Sequence, residues 1–346
     1  MELGERRCRI LAAVVNDYVR TAEPVGSESL AQHYDFGVKP ATIRNELAAI
    51  SEMGYLRQPH TSAGRVPSDL GYRYYVDRLM PAPNLGPAET VRAKRGFDPY
   101  EGEIENILQK TCRILAGLTE YTSLATPPSL DRVFIRQVVL SPVSLERILL
   151  VTVLSTGHID HHVVNVPTNL PSAADLTAVG NLISARFQQV GLDDFSAHAE
   201  QKLPSDLLGL SRLYRKITAA LKQALLHTAD DEVYVEGTAH ILKQPEFAHH
   251  ARMASMLGVL EQRRSLFQTL SRALLGREVT VIIGSENQFE TMHECSFVAS
   301  SYSVGDRVCG SIGVLGPTRM DYRRAVAAVR FMASNLTALL TSLSIG

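Results

Sequence analysis

The chain is poor in cysteine. Cys8, Cys112, Cys295 and Cys309 are its only four in 346 residues, and none sits in a C-x-x-C pair. That spacing argues against a disulfide framework and against a zinc site built on cysteine, and leaves reduced thiols in a cytosolic protein as the simplest reading. Net charge is almost absent as well: 35 Lys and Arg stand against 36 Asp and Glu, a formal −1. Any attraction to nucleic acid must therefore come from a local arrangement, because phosphate responds to nearby cations and not to their sum. The opening residues, MELGERRCRI, lack the apolar stretch of a secretion signal. No run reads as long and apolar enough to cross a bilayer, Ile148 to Leu154 being of strand length. A soluble cytoplasmic protein with no membrane partner is expected. Internal repeats and low-complexity tracts are missing. So are G-x-S-x-G, the Walker loop and G-x-G-x-x-G. The chain reads as a non-enzyme with no cofactor.

What is present is a chain able to fold. Hydrophobic residues make up 45%, enough for a real core, and the length suits two or three domains. The clearest boundary is Pro81-Ala82-Pro83-Asn84-Leu85-Gly86-Pro87, which suits an exposed linker. Residues 1–80 are expected to form one unit, with 81–98 as the linker. Beyond it a helix is expected from Tyr100 to Tyr121, with Ile104, Leu108, Leu115 and Leu118 on one face. Strands follow at Arg132–Leu140, Glu146–Ser155 and His158–Val166, then a helix opened by Ser172-x-x-Asp175. From about Asp193 to Arg277 helical patterns dominate, with a short strand at Glu232–Glu236. Strands return at Glu278–Gly284, Cys295–Tyr302 and around Gly310–Leu315, before a last helix capped by Thr318-x-x-Asp321. A sheet that stops, yields to helices and resumes indicates an insertion into one domain.

Residues 5–80 carry the function. Arg6 to Arg20 forms an amphipathic helix. Ser27 can cap a short second helix, Glu28 to His33. Asp35-Phe36-Gly37-Val38 turns the chain, and Pro40 opens a third helix that Gly54 ends. There Ile43, Leu47 and Ile50 share a face that must point into the core. The other face carries Ala41, Thr42, Arg44, Asn45 and Ala48, short or hydrogen-bonding side chains suited to a major groove. Arginine can pair bidentately with guanine and asparagine with adenine, while Ala or Thr methyls can touch the thymine methyl. This is the helix-turn-helix arrangement. A packing or protein-binding module is the alternative reading of the same pattern.

Tyr55-Leu56-Arg57-Gln58 reads as a strand, Pro59 to Gly64 as a turn, and Arg65-Val66 as the return strand. Such a wing could bring Arg57, His60 and Arg65 to phosphates or a minor groove. Thr61, Ser62 and backbone amides near Gly64 could donate to phosphate oxygens.

The stretches Glu23-Pro-Val-Gly-Ser27, Ala41-Thr-Ile-Arg-Asn-Glu46 and Gln58-Pro-His-Thr-Ser-Ala-Gly-Arg-Val-Pro67, with Gly71-Tyr-Arg73 and Tyr75-Val-Asp77, resemble the heat-inducible transcription repressor (HrcA) family. So do Thr280-Val-Ile-Ile-Gly-Ser-Glu-Asn287 and the run from Gly310 to Tyr322. The resemblance implies an α+β multidomain fold. Its parts would be an N-terminal winged helix-turn-helix, a GAF-like α/β domain in two halves (99–194 and 276–346), and a mainly helical dimerisation domain inserted at 195–275. It implies a homodimer that represses chaperone operons at an inverted-repeat operator and is tuned by the GroE-type chaperonin. Family members usually carry serine where this chain has Lys39. The missing hydroxyl removes an N-cap, and the cation opposes the helix dipole, so Lys39 is expected to rest on a DNA phosphate.

His158, His161 and His162 cluster around Asp160, and a metal pair is conceivable. The helical H-x-x-x-H context and a general-base glutamate are missing, and solvated histidines on a strand face are the better reading. A GAF-like domain often holds a small ligand, which makes a ligand-sensing regulator the second hypothesis, although no residue pattern marks a pocket.

Overall fold

A computed structural model describes residues 3–95, 104–128, 134–154, 159–166, 171–188, 190, 194–229, 233–248, 250–272 and 278–345. The N-terminal head begins with α1, Glu5–Thr21, which buries Ile10, Leu11, Val14 and Val15. Helix α2, Ser27–His33, is preceded by Gly26, so Ser27 takes the first helical position and does not act as the expected cap. Helix α3, Pro40–Glu52, opens on its proline and stops before Gly54, whose φ of +83° suits glycine. Its Ile43, Leu47 and Ile50 are all buried, each contributing about 1.5–3 kcal/mol over an exposed side chain. The hairpin of β1, Leu56–Arg57, and β2, Val66–Pro67, pairs Leu56 with Pro67 and Arg57 with Val66. Ser68 then caps α4, Asp69–Tyr74, by accepting from the Gly71 amide at 3.1 Å. The helix widens into a π turn at Tyr75–Leu79.

The span expected as a linker is only partly one. Within it Pro87–Arg95 forms α5, which packs on α6, Ile104–Thr119, and has Ala93 buried. Asp98, the expected end of the linker, lies outside the described residues.

After α6 the chain lays down β3, Thr122–Ala125, and then leaves for an excursion. Strands β4 (Ile135–Ser144), β5 (Arg147–Leu154) and β6 (Ile159–Asn165) make a separate antiparallel sheet in that order. Their inward residues, Val138, Leu140, Ile148 and Leu150 among them, meet α7 (Ala173–Phe187), α8 (Phe195–Ala199) and α9 (Ser211–Ala229) in a core of their own. A full capping box of Ser172 and Asp175 starts α7.

The chain rejoins the first sheet at β7, Tyr234–Glu236, which pairs with β3. Then come α10 (His250–Glu261), α11 (Arg263–Ser271), β8 (Val279–Ile283), β9 (Cys295–Val304), β10 (Arg307–Pro317) and α12 (Tyr322–Ile345). This body sheet runs β7-β3-β10-β9-β8, antiparallel throughout. Alternation assigns its faces. Val298, Tyr302, Ile312 and Val314 join α6, α12 and the head in one core, whereas Phe297, Ala299 and Leu315 join Met256, Val259, Leu266 and Leu270 in another.

The excursion between β3 and β7 combines a three-stranded sheet with helices, while β7 pairs with β3 and α10 and α11 pack on the body sheet, so those two helices lie with the body and not with the expected insert at 195–275. Two further expectations are corrected. Among the described residues one helix does satisfy the length and composition of a bilayer span: Tyr322–Leu343, with a mean hydropathy of 1.4. Its apolarity is that of a core helix. Tyr322, Val326, Val329, Met332, Leu336 and Leu340 are buried on the side facing the sheet and α6. The cap of α12 is Asp321, accepting from the Arg324 amide at 3.0 Å, and not Thr318.

Candidate nucleic-acid interface

Burying Ile43, Leu47 and Ile50 turns the rest of α3 outward. Ala41, Arg44 and Asn45 are exposed, and Thr42 and Ala48 are half-buried. Among the described residues neither the Arg44 nor the Asn45 side chain has a hydrogen-bond or ion-pair partner. The next residue is treated differently. Glu46 accepts from Arg7 Nε at 2.7 Å and lies 3.7 Å from Arg6, which pins α3 to α1 and offsets the one carboxylate of the motif. Lys39 stands exposed at the N-cap of α3, with no side-chain cap bond. Ser27 is half-buried at the start of α2.

The turn that aims α3 is held from α1. Arg9 donates to the Asp35 carbonyl at 2.6 Å and lies over the Phe36 ring, and Asp35 Oδ1 accepts from the Gly37 amide at 2.9 Å. Deeper, buried Asp17 accepts from the Tyr34 hydroxyl at 2.9 Å. Burial, then that bond to the carboxylate, pushes the Tyr34 hydroxyl up to about 12.

The wing presents Arg57, His60, Thr61 and Ser62 to solvent. Its tip is shaped from within: Gln58 Nε2 donates to the carbonyls of Thr61 at 2.9 Å and Ala63 at 3.0 Å, and His60 Nδ1 lies 3.2 Å from Ser62 Oγ. Arg65 is less free than expected. Its Nε donates to Ser51 Oγ at 2.9 Å, joining wing to α3, and its backbone pairs with Val25. Gly64 is dictated by that pairing, since a Cβ there would stand 2.5 Å from the Val25 carbonyl. Two amides near Gly64 expected to face phosphate are already used: Ala63 donates to His60 and Arg65 to Val25, each at 2.9 Å.

Gln58, Ser51 and Arg7 were not singled out from the sequence. A long amide at the end of the first wing strand is the one available sign for Gln58; the other two act across tertiary contacts. Of the histidine cluster, His162 Nε2 lies 2.9 Å from Asp160 Oδ2, His161 is exposed, and His158 lies outside the described residues. Among the described residues no three potential metal ligands gather. The glycines at 310 and 313 sit within β10, where a Cβ at Gly313 would meet the Val298 carbonyl at 2.5 Å. Close strand packing explains them.

Three short helices with a bare outer face on the third, and a two-stranded hairpin beside it, define a winged helix-turn-helix protein of the transcription-regulator class. Residues 105–326 match the model of the HrcA C-terminal domain. Over 97% of both chains the sequence is 38% identical to the heat-inducible transcription repressor HrcA of Desulforamulus reducens, and over 99% of both it is 40% identical to that of Moorella thermoacetica. The chain belongs to the heat-inducible transcription repressor HrcA family. A solved structure described as that of a hypothetical protein shares the fold, with a TM-score of 0.66 at 20% identity over 99% of both chains.

Proposed function

We propose that the chain is a cytoplasmic repressor of chaperone operons that binds an inverted-repeat operator as a homodimer and is modulated by a GroE-type chaperonin. The observation that carries this reading is the bare face of α3, with Arg44 and Asn45 exposed and unpartnered among the described residues beside an exposed wing. Arg44, Asn45, Ala41 and Thr42 read base edges. Lys39, Ser27, Arg57, His60, Thr61 and Ser62 hold phosphates, while Gly64 and Arg65 shape the wing. The body, whose helices cover both faces of an antiparallel sheet, serves as the GAF-like regulatory domain and needs no cofactor. Footprinting on the chaperone promoters of the source genome, with and without chaperonin, tests this. Protection of an inverted repeat that strengthens with chaperonin is expected; folded protein that protects no repeat sinks the proposal.

Two equal half-sites call for two reading heads. The surface that best fits the pairing is the outer face of the β4-β5-β6 sheet. Val139, Ile159 and Val163 are 43%, 53% and 54% exposed there, an apolar patch of the kind that marks an interface. Val139→Asp with Val163→Asp is expected to give monomers in sedimentation; a dimer that survives both charges refutes this surface.

A further inference from the structure

The head is fastened to the body at two separate points. At the first, Asp69 Oδ2 accepts from the Ser285 amide at 2.9 Å and from its hydroxyl at 2.7 Å. One turn along α4, Arg73 Nε donates to Glu286 Oε1 at 2.7 Å, and Nη2 donates to the Val281 carbonyl at 2.7 Å and to the second Glu286 oxygen. At the second point Arg319, just before α12, donates to the Val19 carbonyl near the end of α1 and is held by Glu246 at 2.5 Å and Gln244 at 3.2 Å. Between the two lies an apolar joint in which the Tyr72 ring, 1% exposed, meets Tyr322 with centroids 5.6 Å apart. All of these contacts use α1 and α4 and leave the outer residues of α3 exposed.

A body held at one point can swivel; one held at two points and along a packed joint cannot. The geometry points to Asp69, Arg73 and Arg319 as the residues that decide which half-site spacing the dimer accepts. This rests on reading α3 as the base-reading helix. With the fastenings intact, the separation and rotation of the two heads are fixed by the dimer frame, so only half-sites at the matching distance and helical phase engage both heads. With either fastening broken, the head can pivot about what remains, the Tyr72 joint and the tether of residues 81–86, which extends to about 20 Å. It can then follow a half-site displaced by half a helical turn.

The test uses full-length protein and three duplexes: the inverted repeat found by footprinting, the same repeat with its spacer lengthened by roughly 5 bp, half a helical turn, and a single half-site. Wild type should bind the lengthened repeat at least about tenfold more weakly than the native one. The Asp69→Ala/Arg73→Ala variant, and independently Arg319→Ala, should bind the two repeats within about threefold of each other, with single-half-site affinity unchanged. That last value shows the head still folded. Either variant that binds the half-site like wild type and still rejects the lengthened repeat overturns the inference, as does a wild type indifferent to spacing. Failure of the wild type on all three duplexes would instead remove the DNA reading beneath it.

Discussion

Arg73 and Glu286 are 213 residues apart in sequence and face each other as a two-pronged pair, with both carboxylate oxygens accepting from one guanidinium. Their side chains are 28% and 34% exposed, so water screens the charges and the planar hydrogen bonds carry most of the value. Losing the pair should cost about 1–2 kcal/mol. Arg73→Ala is expected to lower the first calorimetric transition by a few degrees and to broaden it as head and body begin to melt apart. An unaltered melting curve would show that the joint is held without this pair, by Tyr72 and its neighbours and by the Asp69 and Arg319 contacts.

Arg44→Ala and Asn45→Ala should each lose about 1–3 kcal/mol of discrimination between operator and mutated operator. Both side chains are exposed, so thermal stability should stay put. Competition binding measures the first and a melting curve the second. A uniform loss of affinity on every sequence would reassign the residue to phosphate.

Lys39 has traded helix stability for charge. It occupies the N-cap of α3 without capping it. Lys39→Ser should stabilise the protein by about 0.5–2 kcal/mol in urea unfolding, while the salt slope of operator binding falls by about one. A salt slope equal to that of wild type would detach Lys39 from the phosphates.

Two thiols predict an alkaline weakness. Burial pushes Cys112 and Cys295 from an ordinary 9.0 up to about 12. Between those values the unfolded chain gives up protons that the folded chain keeps, so stability falls as pH rises. The contribution is complete below about pH 9 and lost as pH climbs towards 12. Urea midpoints should drop across that range, and less steeply in Cys112→Ala. An equal slope in the variant would mean that the buried tyrosines, also raised, account for the whole effect.

The head was legible in sequence because its signals are local. Ile43, Leu47 and Ile50 mark a helix face by spacing alone, and Pro40 and Gly54 punctuate it. The excursion was not legible in the same way. Tyr234-Val-Glu236 reads as a strand, but nothing within three residues says that its partner is Ser123-Leu-Ala125 and not the sheet next door. For want of that one pairing, the sequence alone places the helices after it in the insertion. The same blindness applied to Arg65: the sequence shows a cation on a wing, and only the fold shows Ser51 within its reach. Motifs at opposite ends of the chain, Gly71-Tyr-Arg73 and Gly284-Ser-Glu286, looked like separate signatures and are two halves of one contact.

Ala125 and Tyr234 are register partners, so the polypeptide departs from the body and comes home at neighbouring positions on adjacent strands. An ordinary tight hairpin could span that gap. The module between them is therefore detachable cargo on a finished platform, free to change length, shape or partner over evolutionary time without the platform having to refit a single strand.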